Sequence, residues 1–342
     1  MDYRGIFRLS ENDLDKIAYA NNWLPKRVID AHVHSWPNYA DFRCVLNENA
    51  HVPGSMYNYF QWSMHKKIIN AMFPKIDYLS VVFGMPYIMN DVEMNKYILE
   101  QKEYNSILPA MVDNNQSSYG DGDVQDELIK NFCALKMYPV PRQKNALRSK
   151  IIDVFPIKKL REVNYARSSI ILHLPVNLFH HHDELIALAE EFCDIIFIVA
   201  HCGNFYCYNA KFSESLSNDI VKHKNIFFDT AMVANADVFC ELISRVGIAR
   251  LLYGSDAPFS YISGRHIMYD DKIMIESAVP FAWVKEDHYQ RYQHLIDTFP
   301  FFHIETIISI RDALKSCLGS ENRGKELVFY NNANRLFGGS KL

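Results

Sequence analysis

The chain has 342 residues, 49% of them hydrophobic and 22% charged, with a formal net charge of −4. This is core-forming material and excludes a disordered chain, and the absence of any long run of lysine or arginine removes the electrostatic footprint of a nucleic-acid binder. No stretch approaches the length of a membrane span, and the N-terminal MDYRGIFRLSENDLDK is too polar for a signal peptide, so the expected setting is the cytoplasm and the expected partner a small molecule.

Residues 1–26 read as a helical extension. Ser10, with Asp13 three positions on, has the pattern of a capped helix running to about Asn22, expected to pack across the bottom of the core that follows. Eight short apolar, β-branched or aromatic runs then succeed one another. They are Arg27–His32, Tyr78–Phe83, Ser106–Val112, Cys133–Tyr138, Ser169–Leu174, Ile195–His201, Asn225–Asp229 and Arg250–Asp256. Segments of helical periodicity, such as Glu184–Cys193 and Asp237–Val246, separate them.

Near-continuous apolar strands alternating with helices imply parallel strands buried on both faces. Eight such units close into a (β/α)8 TIM barrel. An open doubly wound sheet is disfavoured because no GxGxxG turn follows the first strand. Nothing resembling a linker or an internal repeat divides the chain, so residues 1–342 are expected to be one domain, and the SSYGDGD stretch at 117–123 is a loop. Two aromatic-rich insertions, 35–59 after strand one and 257–303 after strand eight, leave the C-terminal strand ends, where a barrel of this type carries its site. They read equally as pocket walls or as surface elaboration. The seven cysteines lack CxxC spacing, and Cys133 and Cys193 look like reduced core residues.

Polar residues at strand ends carry the chemistry. His32 and His34 close strand one, and residues two apart in a strand face the same way, about 7 Å apart. His173 interrupts the apolar run IILHLP, His201 ends IIFIVAH, and Asp256 ends LLYGSD. Taken singly, each is explained by turn capping or by a backbone hydrogen bond. Taken together they are not, because all strand ends of a closed barrel converge on one mouth. Imidazoles plus one carboxylate are the ligand set of a catalytic divalent metal, with Zn²⁺ the expected ion.

These residues resemble the amidohydrolase superfamily, particularly its amidohydrolase-related (amidohydrolase family 2) branch of metal-dependent hydrolases and decarboxylases. The matching motifs are VIDAHVH at 28–34, ALKMYP at 134–139, the His173 strand, AHCGN at 200–204 and LLYGSDAP at 251–258, with YNNANRLFG at 330–338 resembling the branch's closing helix. The resemblance implies that His32, His34, His173 and Asp256 contact one metal ion, while His201 polarises substrate or moves protons. In binuclear relatives a strand-four lysine is carbamylated and bridges two metals. Lys136 stands in the corresponding strand, but the branch generally uses one metal, and substrate-carboxylate binding and a buried ion pair are the other readings of this lysine.

The expected enzyme is a metal-dependent hydrolase that acts on a small amide, lactone or ester through a metal-activated water. Asp256 would relay the proton and His201 would stabilise the oxyanion. The alternative is a nonoxidative decarboxylase of an aromatic or unsaturated carboxylic acid using the same site. A noncatalytic barrel used for binding is the third reading, opposed by the intact ligand set. Candidate substrate contacts are Lys136, Asn204, Trp36 and Arg265. Arg142 and His266 are further loop candidates, and Tyr39, Phe259, Tyr261 and Trp283 suggest a partly apolar pocket. His180, His181 and His182 read as a solvated helix start. The stretch Phe281–Phe302 reads as lid or interface, and a homodimer is the expected assembly.

Overall fold

The computed structural model describes residues 9–37, 60–85, 89–101, 105–113, 119–138, 150–269, 272–277 and 293–338. All eight apolar runs form strands. β1 (Arg27–His34), β2 (Asp77–Phe83) and β3 (Ile107–Pro109) pair in parallel. β4 (Met111–Val112), β5 (Ala134–Met137), β6 (Ser169–Leu172), β7 (Ile196–Val199), β8 (Ile226–Asp229) and β9 (Leu251–Leu252) continue in parallel and in chain order.

The run Ser106–Val112, expected as one strand, is two short ones about Ala110. Pro109 has no amide for the ladder, and pairing divides there. Ala110 N donates to Val82 O at 2.8 Å, and the Pro109 carbonyl accepts from Cys133 N at 2.8 Å on the other side. The last strand meets the first through Ala31 N to Tyr253 O at 2.8 Å, Asp256 N to His32 O at 2.9 Å and His34 N to Ala257 O at 2.8 Å. Helices such as Trp62–Met72, Leu178–Glu191, Ala236–Arg245 and Phe302–Leu318 follow the strands. The architecture is the expected α/β barrel.

Two apolar layers hold it. Ile29, Ala31, Val81, Leu108, Ala134, Ile171, Ile198, Phe227 and Leu252 fill the interior, and a larger cluster packs the helices onto the outer strand faces. Ala333 and Phe337 of the last helix, Asn332–Phe337, join the inner layer. That helix sits at the N-terminal end of β9, where Asn332 Nδ2 donates to Ile248 O and Leu251 O and Arg335 donates to Ala249 O.

The end opposite the site is therefore covered by the C-terminal helix, not by the N-terminal one as expected. The helix Glu11–Trp23 does carry the Ser10–Asp13 capping box, but it lies on the barrel's flank. Lys16 pairs with Glu305, Asp13 Oδ1 accepts from Phe301 N at 3.1 Å, and the Trp23 ring meets Phe329 edge-on. The expectation of unpaired cysteines also fails in part: Cys240 and Cys317 are disulfide-bonded across two outer helices, and Cys193 is exposed rather than in the core. Residues 38–59, 139–149 and 278–292, which contain Tyr39, Arg142, Trp283 and most of the suggested interface, lie outside the described residues. Among the described residues no helix is long and apolar enough to cross a membrane.

Two buried histidines away from the strand ends make the fold acid-sensitive. His65 Nδ1 is 2.9 Å from Tyr261 OH, His303 Nδ1 is 3.4 Å from Ser260 Oγ, and neither Nε2 has a partner among the described residues. Burial holds His303 down at about 3 and His65 well below the usual imidazole value. Both are neutral when folded and bind a proton near pH 6.5 when unfolded, so their contribution is complete above pH 6.5 and falls as pH drops toward 3. At pH 5 the loss is about 2 kcal/mol for His303. Unfolding free energies from denaturant titration at pH 7 and pH 5 are expected to differ less in His303→Phe than in the native chain, by about that amount.

Candidate metal centre

β1 delivers two imidazoles to one face because residues two apart in a strand point the same way, and the register shift on β2 between Asp30 and Val33 turns that face inward although Ile29 and Ala31 also face inward. His32 and His34 then both turn inward with ring centroids 5.5 Å apart, and Phe83 packs edge-on against them at 5.0 and 4.7 Å. Across the barrel seam, Asp256 reaches the same point. Its Oδ1 is 3.4 Å from His32 Nε2 and 3.2 Å from His34 Nε2, and its Oδ2 is 3.9 Å from His201 Nδ1. Ligand atoms of His32, His34 and Asp256 all fall within 4.8 Å of one another, and all three residues are buried.

The approach is close enough to dictate backbone choices. A Cβ on Gly254 would sit 2.9 Å from His32 Cβ, so the strand beside β1 needs glycine there. Asp256 has φ 63°, and His201, Cys202 and Asn204 have φ between 52° and 61°. Non-glycine residues pay about 1 kcal/mol or more for that conformation. Such outliers collect where surrounding bonds over-determine a functional arrangement.

Asp229, at the end of β8, organises the histidines. Its Oδ2 accepts from His32 Nδ1 at 2.9 Å, and its Oδ1 accepts from His201 N at 2.8 Å and Ala231 N at 3.1 Å. A proton held on Nδ1 leaves the His32 Nε2 lone pair facing Asp256 and His34, the orientation a metal-ligating histidine takes from an outer carboxylate. Burial keeps His32, His34 and His173 well below the ordinary imidazole pKa, so all are neutral donors at pH 7. The donor set fits a divalent metal such as zinc. Asp229→Asn is expected to weaken zinc binding about 10–100-fold, measured by competition with a chromogenic chelator.

His173 and His201 form the adjoining pair. His201 Nδ1 lies 2.9 Å from Ala231 O, which makes it the donor there, and His201 Nε2 is 3.1 Å from His173 Nδ1. The rings are 4.8 Å apart. His173 thus enters the cluster through His201 rather than within the compact group of His32, His34 and Asp256. Lys136 is fully buried, 3.4 Å from His32 Nε2, with its ammonium over the Phe83 and Tyr138 rings. Burial pulls it down to about 8 against the opposing charges of Asp229 and Asp256, and pushes Asp256 up to about 6 against His201 and Lys136.

Of the other candidates, Phe259 meets the His34 ring at 5.1 Å, whereas Trp36, Asn204 and Arg265 make no described contact with this cluster. Trp36 is buried beside Phe60 and Phe259, with Phe259 between it and His34. Asn204 ties two loops together by donating to the Leu174 and Val176 carbonyls. Arg265 pairs with Glu276 at 2.8 Å on the hairpin formed by β10 (Gly264–Tyr269) and β11 (Lys272–Ser277). Its neighbour His266 stacks on Tyr206 at 4.3 Å, and Tyr206 lies 5.7 Å from the His201 ring. His180–His182 occupy the first turn of the Leu178–Glu191 helix, with His181 buried against Glu184.

Sequence reasoning missed Asp229 and Tyr138. Asp229 ends the apolar run NIFFD as Asp256 ends LLYGSD, so the same strand-end signal was present. Tyr138, one residue beyond β5, places its hydroxyl 3.0 Å from His34 Nε2.

No protein-family model matches the sequence, and no curated protein matches it. Solved structures do match in fold. Amidohydrolase 2 from Bifidobacterium longum subsp. infantis aligns with a TM-score of 0.56 at 15% identity, covering 92% of this chain and 99% of that one. The chain has the fold of the amidohydrolase structures. An amidohydrolase from Burkholderia multivorans with bound zinc aligns at a TM-score of 0.59 and 10% identity, over 91% of this chain and 99% of its own. The 4-oxalomesaconate hydratase from Rhodopseudomonas palustris aligns at 0.55 and 14%, over 91% and 95%.

Proposed function

We propose that the chain is a metal-dependent hydrolase of the amidohydrolase superfamily, acting on a small amide, lactone or ester. The observation that carries this reading is the convergence of His32, His34 and Asp256 from opposite sides of the barrel seam, with Asp229 setting the His32 tautomer. His32, His34 and Asp256 would hold one divalent metal, zinc by preference, with His173 as the fourth contact. When bound, the metal supplies Lewis-acid polarisation of the substrate and activation of a water.

The protein's own groups do the rest. Asp256 is the carboxylate placed to take a proton from the attacking water and return it to the leaving nitrogen or oxygen. His201 is anchored by Ala231 O on one side and shares a hydrogen bond with His173 on the other, so it serves proton movement better than oxyanion stabilisation. Lys136 offers a buried cation to an anionic substrate group, and Phe83, Tyr138 and Phe259 give the site apolar walls.

The names of the fold neighbours support water-adding chemistry, since amidohydrolases and a hydratase both add water. The test is incubation of zinc-loaded protein with a panel of lactones, amides, esters and unsaturated carboxylic acids, followed by product mass. Consumption of one water is expected, as a ring-opened lactone heavier by one water or as two products of an amide or ester whose summed mass exceeds the substrate by one water. Loss of carbon dioxide from an acid would replace this reading with decarboxylation, and no turnover on any of the classes would overturn it.

A further inference from the structure

We propose that Asp30 is a positioning residue that sets the metal affinity of the site by clasping β1 to the turn after β9; this rests on the metal-site reading above. Asp30 touches neither a ligand side chain nor the space among the ligands. It lies on the outer side of β1, fully buried, while its neighbours Ile29 and Ala31 belong to the inner core.

One oxygen serves two strands. Asp30 Oδ1 accepts from His32 N at 3.2 Å and from Ser255 N at 2.8 Å. His32 carries the first ligand, and Ser255 immediately precedes Asp256, which carries the last. The other oxygen, Oδ2, accepts from Tyr78 OH at 2.9 Å, and Tyr253 OH lies 3.2 Å from Tyr78 OH. The carboxylate is thus fixed from behind by a tyrosine pair and holds two backbone points in front.

Both points are places where the regular ladder gives out. β1 shifts register between Asp30 and Val33, and Asp256 adopts φ 63°. Where regular pairing gives out, a buried amide needs another acceptor, and the Asp30 carboxylate meets that need on both sides of the seam. The 3.4 Å separation of His32 Nε2 from Asp256 Oδ1 depends on the relative position of those amides. Losing the acceptor leaves two buried donors unpaired, so the bulge and the turn loosen against each other within the limits set by the three backbone hydrogen bonds that still join β1 to residues 253–257.

The test measures zinc affinity of the folded full chain by competition with a chromogenic chelator, alongside the melting temperature of the metal-free protein. Asp30→Ala is expected to weaken zinc binding about 10–100-fold, the range for residues that orient ligands without binding metal. Asp30→Asn keeps the shape and a carbonyl oxygen for both amides, and is expected to stay within about threefold of the native chain. A lower melting temperature in Asp30→Ala with unchanged zinc affinity would make Asp30 a stability residue only and overturn the proposal. An asparagine variant as weak as the alanine one would overturn it too, since charge and not the clasp would then be the cause. If the alanine variant does not fold, the asparagine variant decides alone, with retention of affinity supporting the clasp and a tenfold or greater loss, of the order seen for lost ligand orientation, rejecting it. A native chain that binds no zinc fails at the metal-site reading itself, which the variants then share.

Discussion

Asp256→Asn is expected to lower turnover by about two to four orders of magnitude with the fold intact. The amide fills the same volume, and its backbone N still donates to His32 O, so the barrel seam survives. The side chain, however, no longer accepts a proton, and it stands 3.2–3.4 Å from the imidazoles of His32 and His34, the proposed metal ligands, so proton transfer and metal contact would coincide there. Measuring kcat together with bound metal separates the two roles. A fall in kcat with metal retained identifies proton transfer, and a parallel loss of both identifies the metal contact. Turnover within about tenfold of the native value, with metal bound, would exclude Asp256 as the proton acceptor.

His32→Ala is expected to remove the metal as well as the activity. The native chain is expected to retain about one tightly held divalent ion per molecule through dialysis, and the variant close to none. The same change strips Asp229 Oδ2 of its partner and leaves Lys136 without its nearest nitrogen, both fully buried. An unsatisfied buried acceptor costs about 1–3 kcal/mol, so the melting temperature falls even for metal-free protein. Metal analysis and thermal unfolding check both, and normal activity in metal-free native protein would sink the proposed mechanism.

The strands were legible because a parallel strand buried on both faces has to be apolar throughout, and a polar residue at its end stands out. His32, His34, His201 and Asp256 were visible for that reason, and Asp229 carried the same signal unread. What the one-dimensional pattern does not encode is the seam. That Asp30 points outward and bonds Ser255 follows from a bulge in β1, and a bulge has no periodicity to detect. The positions of the two terminal helices were hidden similarly. Both are amphipathic, and only packing decides that Phe337 enters the interior while Trp23 stays on the flank. Arg265 looked like an anion binder because Glu276, its partner, lies on the other strand of a hairpin whose register no local motif announces.

The strand that completes the ring and the helix that fills its base both come from the final third of the chain: residues 253–257 bond to β1, and Ala333 and Phe337 complete the inner layer. During synthesis His32 and His34 leave the ribosome more than 200 residues before Asp256, and until then β1 has an unpaired edge and the interior is open to water. Such long-range closure slows folding and exposes intermediates to aggregation. Deletion of the last helix, which would uncover the inner layer where Ala333 and Phe337 pack, is therefore expected to raise the insoluble fraction on expression.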